Sequence, residues 1–245
     1  MEWDRGRLST TDSVALGHAF TGNELRDAYV EALPDLTLGL ARLRDNSVVV
    51  GPFELLRFGA PRVAETAVEW PIEGGLLARG RGGSWRIQAS GDRLEAQVTG
   101  YRPSLPRPLY WASQLNVHLL FTRLYLLRLR GRDPAPGPRA SSERRLQAAA
   151  VDVAFCLTLA GLTGRRRPAR TLAIAIAYHV ACWTLGGRTL GGVVLGQRVV
   201  AVDGSRLTPS QSLLRLALMP VAWITGRAVQ DELAGSDVIG DAVES

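Results

Sequence analysis

The chain contains no lysine. All 29 of its basic residues are arginine, set against 23 acidic residues for a net charge of +6. An Arg-only basic set alongside many Ala, Gly and Leu is what a GC-rich coding sequence produces. It also excludes chemistry. No lysine amine is present to form a Schiff base, and none to reach a nucleotide phosphate from a P-loop. Cysteine is nearly absent, with only Cys156 and Cys182, both inside apolar runs. A structural zinc site needs about four ligands, usually in close Cys or His pairs. Neither spacing occurs here, so the cysteines read as buried free thiols. No metal and no other cofactor is expected. The first residues, Met1–Thr11, are charged and polar and lack the apolar core of a signal peptide. This predicts that the first half stays in the cytosol.

The placement of the charge narrows the partners. Arginines are scattered through the first half, but later they flank apolar runs, at Arg144-Arg145 and Arg165-Arg166-Arg167. That pattern favours lipid headgroups over nucleic acid, and no recognised nucleic-acid motif accompanies the charge. No catalytic Ser/His/Asp or Cys/His spacing stands out, so no enzyme activity is expected.

The composition changes near Arg132. Residues 1–131 read as one domain, 132–142 as a stiff Pro-rich linker, and 143–245 as a second domain dominated by apolar runs. The first domain reads as α+β. Val14–Phe20 predicts an opening strand. Thr21-Gly-Asn-Glu24 has the form of a capping box, opening a helix that Pro34 stops. A second short helix is expected over Asp35–Leu43. Six strand-like runs follow, at 47–50, 53–58, 64–70, 76–79, 84–89 and 94–100. Turn residues such as Gly74-Gly75 and Gly80–Gly83 separate them. A long helix is predicted from Pro106 to Arg130, gripping the antiparallel sheet. This order of elements resembles the START and polyketide-cyclase-like helix-grip superfamily. The resemblance implies a cavity for an apolar small molecule or lipid, with Trp70, Trp85, Tyr101, Tyr110 and Trp111 as candidate lining.

In the second half, Ala148–Thr163 is apolar apart from Asp152, and Leu172–Gly187 is apolar apart from His179. Snorkelling ends extend these to spans of about 146–164 and 170–187, a transmembrane hairpin closed by a tight turn at Gly164–Pro168. A third apolar helix at about 210–226 holds Arg215 and Pro220 and is too short to cross a bilayer. His179 reads as a histidine bonding to a neighbouring helix. Asp203-Gly204 predicts a β-hairpin between 199–202 and 205–207.

A polar framework threads these apolar runs. It comprises Arg145-x-x-Ala148-x-x-x-Asp152, Gly187-Arg-Thr-Leu-Gly-Gly192, Gly196-Gln-Arg-Val-Val200 with Asp203-Gly204, then Arg215 and Asp231. A carboxylate at Asp152 inside a membrane-grade helix is costly and needs a partner. Arg145 shares its helix face but is too far along the axis to pair directly, which leaves Arg188, Arg198 or Arg215. The framework resembles the RDD family of small bacterial membrane proteins, over about residues 143–241. Arg145, Asp152, Arg188, Arg198, Arg215 and Asp231 fall on its motif positions. The chain departs from the family pattern at Gly192, Gln230 and Ser236, which stand in place of lysine, histidine and threonine. The resemblance implies an α-helical membrane domain in a bacterial inner membrane, with the first domain cytoplasmic. It also implies a role in transport, for which Asp152 would be the centre. Two spans alone enclose no pore, so that role would require a homo-oligomer.

Overall fold

The computed structural model describes residues 1–162 and 168–241. The chain divides into two units, Met1–Asp133 and Pro134–Ser245.

In the first unit, strand β2 (Arg7–Ala15) turns Leu8, Thr10 and Val14 to the core. It starts at Arg7 rather than at Val14, and β1 (Glu2–Asp4) precedes it in a tight hairpin through Arg5-Gly6. The polar residues of the N-terminus are the outward face of these strands, which hid the alternation. Helix α1 (Gly22–Leu36) opens on the expected capping box. Glu24 N–H donates to Thr21 Oγ1 at 3.3 Å, and Thr21 N–H donates to Glu24 Oε2 at 2.7 Å. Pro34 does not stop the helix at once, since α1 continues to Leu36. The expected second helix is absent. Residues there turn through Leu38 and Gly39, both at positive φ, and enter strand β3 (Ala41–Arg44).

The remaining strands are β4 (Ser47–Val50), β5 (Phe53–Phe58), β6 (Arg62–Val63), β7 (Ala67–Gly74), β8 (Ser84–Ser90) and β9 (Arg93–Tyr101). They form an antiparallel sheet in the order β1-β2-β9-β8-β7-β5-β4-β3, with β6 paired to β7. The run 64–70 is shifted to Ala67–Gly74. The run 76–79 forms no strand and contributes a single bridge, Ala78 to Pro103. The long helix is broken at Ser113 into α2 (Arg107–Ala112) and α3 (Gln114–Arg130). Helix α3 packs on α1, β2 and β9. Its buried Arg123 is not stranded: the guanidinium donates to Ser13 O at 2.9 Å and faces Asp12 at 3.4 Å. Tyr29 of α1 centres the core, with Trp70 at 5.0 Å and Tyr125 edge-on at 5.5 Å.

The second unit comprises α4 (Ser142–Leu162), α5 (Pro168–Leu185), α6 (Leu190–Val194), β10 (Gln197–Ala201), α7 (Pro209–Thr225), α8 (Val229–Leu233) and β11 (Ser236–Gly240). Helix α5 packs against α4 and α7, α6 against α4, and α8 back against α7. The expected tight turn at Gly164–Pro168 lies, except for Pro168, outside the described residues. The turn at Asp203-Gly204 forms, with Ser205 N–H and Oγ both bonded to Asp203 Oδ1. The hairpin does not: β10 pairs instead with β11, antiparallel, from Gln197–Gly240 to Ala201–Ser236. Part of the linker is also pinned there. Ala140 N–H donates to Val238 O at 2.9 Å, and Gly240 N–H donates to Pro138 O at 2.8 Å.

Candidate functional site

Four of the six framework residues fall into two clusters, one around Asp152 and one joining Arg145, Arg215 and Asp231. The first surrounds Asp152, which is 5% exposed on the inner face of α4. No arginine pairs with it among the described residues, contrary to the expectation of Arg188, Arg198 or Arg215. Its Oδ1 accepts from Tyr178 Oη at 2.8 Å and from Gly191 N–H at 2.8 Å. Tyr178 Oη in turn accepts from Leu190 N–H at 2.6 Å, and Thr189 Oγ1 accepts from Gly192 N–H at 3.1 Å. The first three amides of α6 are thus capped by Tyr178, Asp152 and Thr189. A helix start leaves its amides without partners and carries partial positive charge. Asp152 therefore meets that charge in backbone form rather than as a guanidinium.

This geometry explains the motif spacing. A β-carbon on Gly191 would lie 2.1 Å from the Ala148 carbonyl oxygen, and one on Gly192 would lie 2.8 Å from Gln197 O. Gly191 must be glycine for α6 to press on α4, and Gly192 for the start of β10 to fold back against α6. Gly187 sits at φ +72, a conformation open mainly to glycine. One helical turn on α4 separates Ala148, where the loop rests, from Asp152, which caps it.

The second cluster is an ionic clamp. Asp231, on α8, is 4% exposed and forms ion pairs with both Arg145 of α4 and Arg215 of α7. Ser236 Oγ bridges the last pair, accepting from Arg215 Nη1 at 2.7 Å and donating to Asp231 Oδ1 at 3.1 Å. The Arg215 guanidinium lies 5.2 Å over the ring of Trp183 on α5. Near the clamp, Gln211 Nε2 donates to Ala234 O at 3.0 Å. Arg188 lies outside the clamp and pairs with Asp241 through two bonds, at 2.9 and 2.5 Å. Arg198 is exposed on β10. His179 bonds the carbonyl of Ala175 on its own helix, at 2.8 Å, and not a neighbouring helix. Cys156 and Cys182 are free thiols, the first buried and the second half-buried.

The first unit holds a cavity of about 190 Å³ between the sheet, α1 and the start of α3. Of the five aromatic residues expected to line it, Trp85, Tyr101 and Tyr110 do. Trp70 is 2% exposed and packed against Tyr29 in the core. Trp111 is 43% exposed on α2, with Arg107 5.5 Å over its ring. Residues without a distinctive sequence pattern complete the wall, among them Tyr29, Gln114, His118 and Phe121. Tyr101 Oη donates to Leu77 O and accepts from Gln114 Nε2 at 2.8 Å. Burial pushes the Tyr101 phenol up to about 12. Two buried polar atoms in this wall have no hydrogen-bond partner, Trp85 Nε1 and Gln114 Oε1.

His118 packs edge-on to Trp85, with ring centroids 6.0 Å apart. Desolvation lowers it from 6.5 to about 4. The folded chain keeps the imidazole neutral where the unfolded chain protonates it. This group's contribution is therefore complete above pH 6.5 and is lost as pH falls from there toward 4. At 1.36 kcal/mol per unit the loss is on the order of 3 kcal/mol. Thermal unfolding of the wild type and His118→Phe across that window checks it. An acid sensitivity that survives the substitution unchanged would assign it to other groups.

Comparison with known proteins bears on the second unit. Residues 170–233 match the family model described as RDD family, a membrane-associated family. The matched stretch holds Arg188, Arg198, Arg215 and Asp231, while Arg145 and Asp152 precede it. The match falls within residues 143–241, over which the motifs resemble the same family. No curated protein and no solved structure matches the chain.

Proposed function

We propose that this is a bacterial inner-membrane protein. In this reading its cytoplasmic N-terminal unit binds a small, largely apolar molecule, and α4 and α5 anchor the chain in the bilayer. One observation carries the ligand-binding part. The cavity in the first unit is apolar, yet Trp85 Nε1–H and Gln114 Oε1 face no partner. Burying such groups unsatisfied is costly. A ligand that accepts from the indole and donates to the amide oxygen would remove that cost. Cavities for drug-sized molecules run to roughly 300–1,000 Å³, so about 190 Å³ suits a single ring or a short chain. This reading also leans on the helix-grip likeness, of which the antiparallel sheet with α3 laid on it is present and the second helix is not.

Membrane insertion draws support from α4. It is long and apolar enough to cross a bilayer, and only 22% of its apolar window is buried. A soluble core helix of that composition would be covered. Helix α7 does not extend the crossing, because the chain returns. Arg215 early in α7 and Asp231 after it are paired, and β11 is bonded both to β10 and to residues 138–140. The linker and the last strand therefore lie on one side of any bilayer that α4 enters.

Phenol tests the ligand-binding reading, since its hydroxyl both donates and accepts. Calorimetric titration of the detergent-solubilised chain should show binding. Val48→Phe, which fills the cavity, should weaken it at least about tenfold, or roughly 1.4 kcal/mol. Equal binding by the two proteins would refute the reading.

A second reading has its own observation. Asp152 is a buried carboxylate in an apolar helix with no cation paired to it among the described residues. Intramembrane carboxylates of this kind mark ion or proton paths. If Asp152 carries transport, Asp152→Asn abolishes ion flux in proteoliposomes while the protein stays folded. Full flux in a folded Asp152→Asn protein sinks it.

A further inference from the structure

Helix α5 lies between α4 and α7, and those two barely meet. The result is a groove of about 640 Å³ that runs between α4 and α7 with α5 as its back wall. Its sides are apolar: Leu146 and Val153 on α4, Ile176 on α5, Met219 and Trp223 on α7. Leu146 and Trp223 are each 70% exposed and Val153 is 47% exposed, so the groove opens sideways onto an apolar surface.

The floor is different. Arg145, Arg198, Arg215 and Arg227 border the groove together with Asp152, and Asp231 and Asp237 act on Arg145 and Arg215 from outside the lining, which makes four arginines to three aspartates. The local balance is positive. Three polar atoms of groove-lining residues, each more than nine-tenths buried, have no hydrogen-bond partner: Gln197 Oε1, Gln230 Oε1 and Arg215 Nε. Each amide nitrogen faces an acceptor. Gln197 Nε2 donates to Arg144 O at 3.5 Å, and Gln230 Nε2 donates to Asp231 Oδ2 at 3.4 Å. Each oxygen is left as an acceptor.

We propose that this groove holds an anionic phospholipid whose headgroup carries hydroxyls, with phosphatidylglycerol as the representative. Its phosphodiester meets the arginines, which suit phosphate through their planar fork. Its glycerol hydroxyls donate to Gln197 Oε1 and Gln230 Oε1. An acyl chain follows the apolar walls outward. A choline headgroup has no donor for the two amides, and an ethanolamine places an ammonium charge among four arginines. The proposal rests on α4 and α5 entering the bilayer.

Native mass spectrometry of the full chain, delipidated in detergent, tests it. The chain is titrated with phosphatidylglycerol, with phosphatidylcholine of the same acyl chains, and with glycerol phosphate. Phosphatidylglycerol should bind about tenfold or more tightly than phosphatidylcholine, and glycerol phosphate should not compete at equal concentration. The double substitution Arg198→Gln with Arg227→Gln, both at exposed positions, should erase most of that preference. Gln230→Leu should reduce it, and Arg206→Gln, exposed and away from the groove, should leave it unchanged. Equal binding of the two lipids overturns the proposal. So does an Arg206→Gln effect as large as the double substitution, or glycerol phosphate binding as well as the lipid. Retention in membranes after an alkaline wash checks bilayer entry separately, so a failure there is told apart from a failure of lipid selection.

Discussion

Replacing Asp231 with alanine should remove about 3–5 kcal/mol of stability from the second unit, which is the cost of stranding a buried charge partner. The substitution leaves two guanidiniums facing each other. Arg215 is 3% exposed, and its neighbour Arg145 loses the same acceptor. Ser236 Oγ would still accept from Arg215, but a neutral hydroxyl does not balance a buried cation. Thermal unfolding in detergent, followed by circular dichroism, would show the drop.

Two companion proteins separate the burial effect from charge removal in general. Asp241→Ala breaks the Arg188 pair, whose two side chains are 35% and 42% exposed, and should change stability by less than about 1 kcal/mol. Replacing the whole clamp with apolar residues (Arg145→Leu, Arg215→Met and Asp231→Leu together) should recover most of the loss, because no buried charge is then left unpaired. If Asp231→Ala and Asp241→Ala unfold at the same temperature, the clamp is not the holding device described above.

The clamp was only partly legible in the sequence. Arg145, Arg215 and Asp231 stand out as charges in or beside apolar runs. Which of them meet depends on the return of α7 through α8, and no local pattern states that. Asp152 shows the limit more sharply. A buried carboxylate invites a search for a guanidinium, yet its partners are a tyrosine hydroxyl and a backbone amide. Backbone donors leave no residue type to read. The available signal was Thr189-Leu-Gly-Gly192, a capping residue followed by two side-chain-free positions where another chain can approach.

The first unit shows the same division. The strands at 47–50, 53–58, 84–90 and 93–101 follow from alternation broken at glycine-rich turns. Strand β3 was hidden in a run that also suits a helix, and the break at Ser113 has no proline or glycine to announce it. Aromatic residues are interchangeable in such patterns. Trp70 shares the inner face of β7 with Val68 and Ile72, whereas Trp111 sits on the outer side of a short helix. The cavity wall therefore had to be found from packing.

Gly191→Ala should prove as damaging as the loss of the clamp, although it adds a single methyl group. The new β-carbon would meet the Ala148 carbonyl oxygen at 2.1 Å, a contact with backbone that no rotamer change relieves. Helix α6 must move away from α4. That motion also breaks the bond from Gly191 N–H to Asp152 Oδ1 and leaves the carboxylate buried with Tyr178 alone. Overpacking costs about 1–3 kcal/mol, and loss of a hydrogen bond to a charged group about 1.5–3 kcal/mol, so a total near 4 kcal/mol is expected. The two effects share one contact, which makes a sharper test available. In wild type, Asp152→Asn weakens the cap on α6. In the Gly191→Ala background that cap is already broken, so Asp152→Asn should add little. A double-substitution cycle should therefore give a coupling of about 1–2 kcal/mol between residues on different helices. Additive losses in that cycle would show that Asp152 does not hold the loop. Its burial would then need the ion-path reading instead.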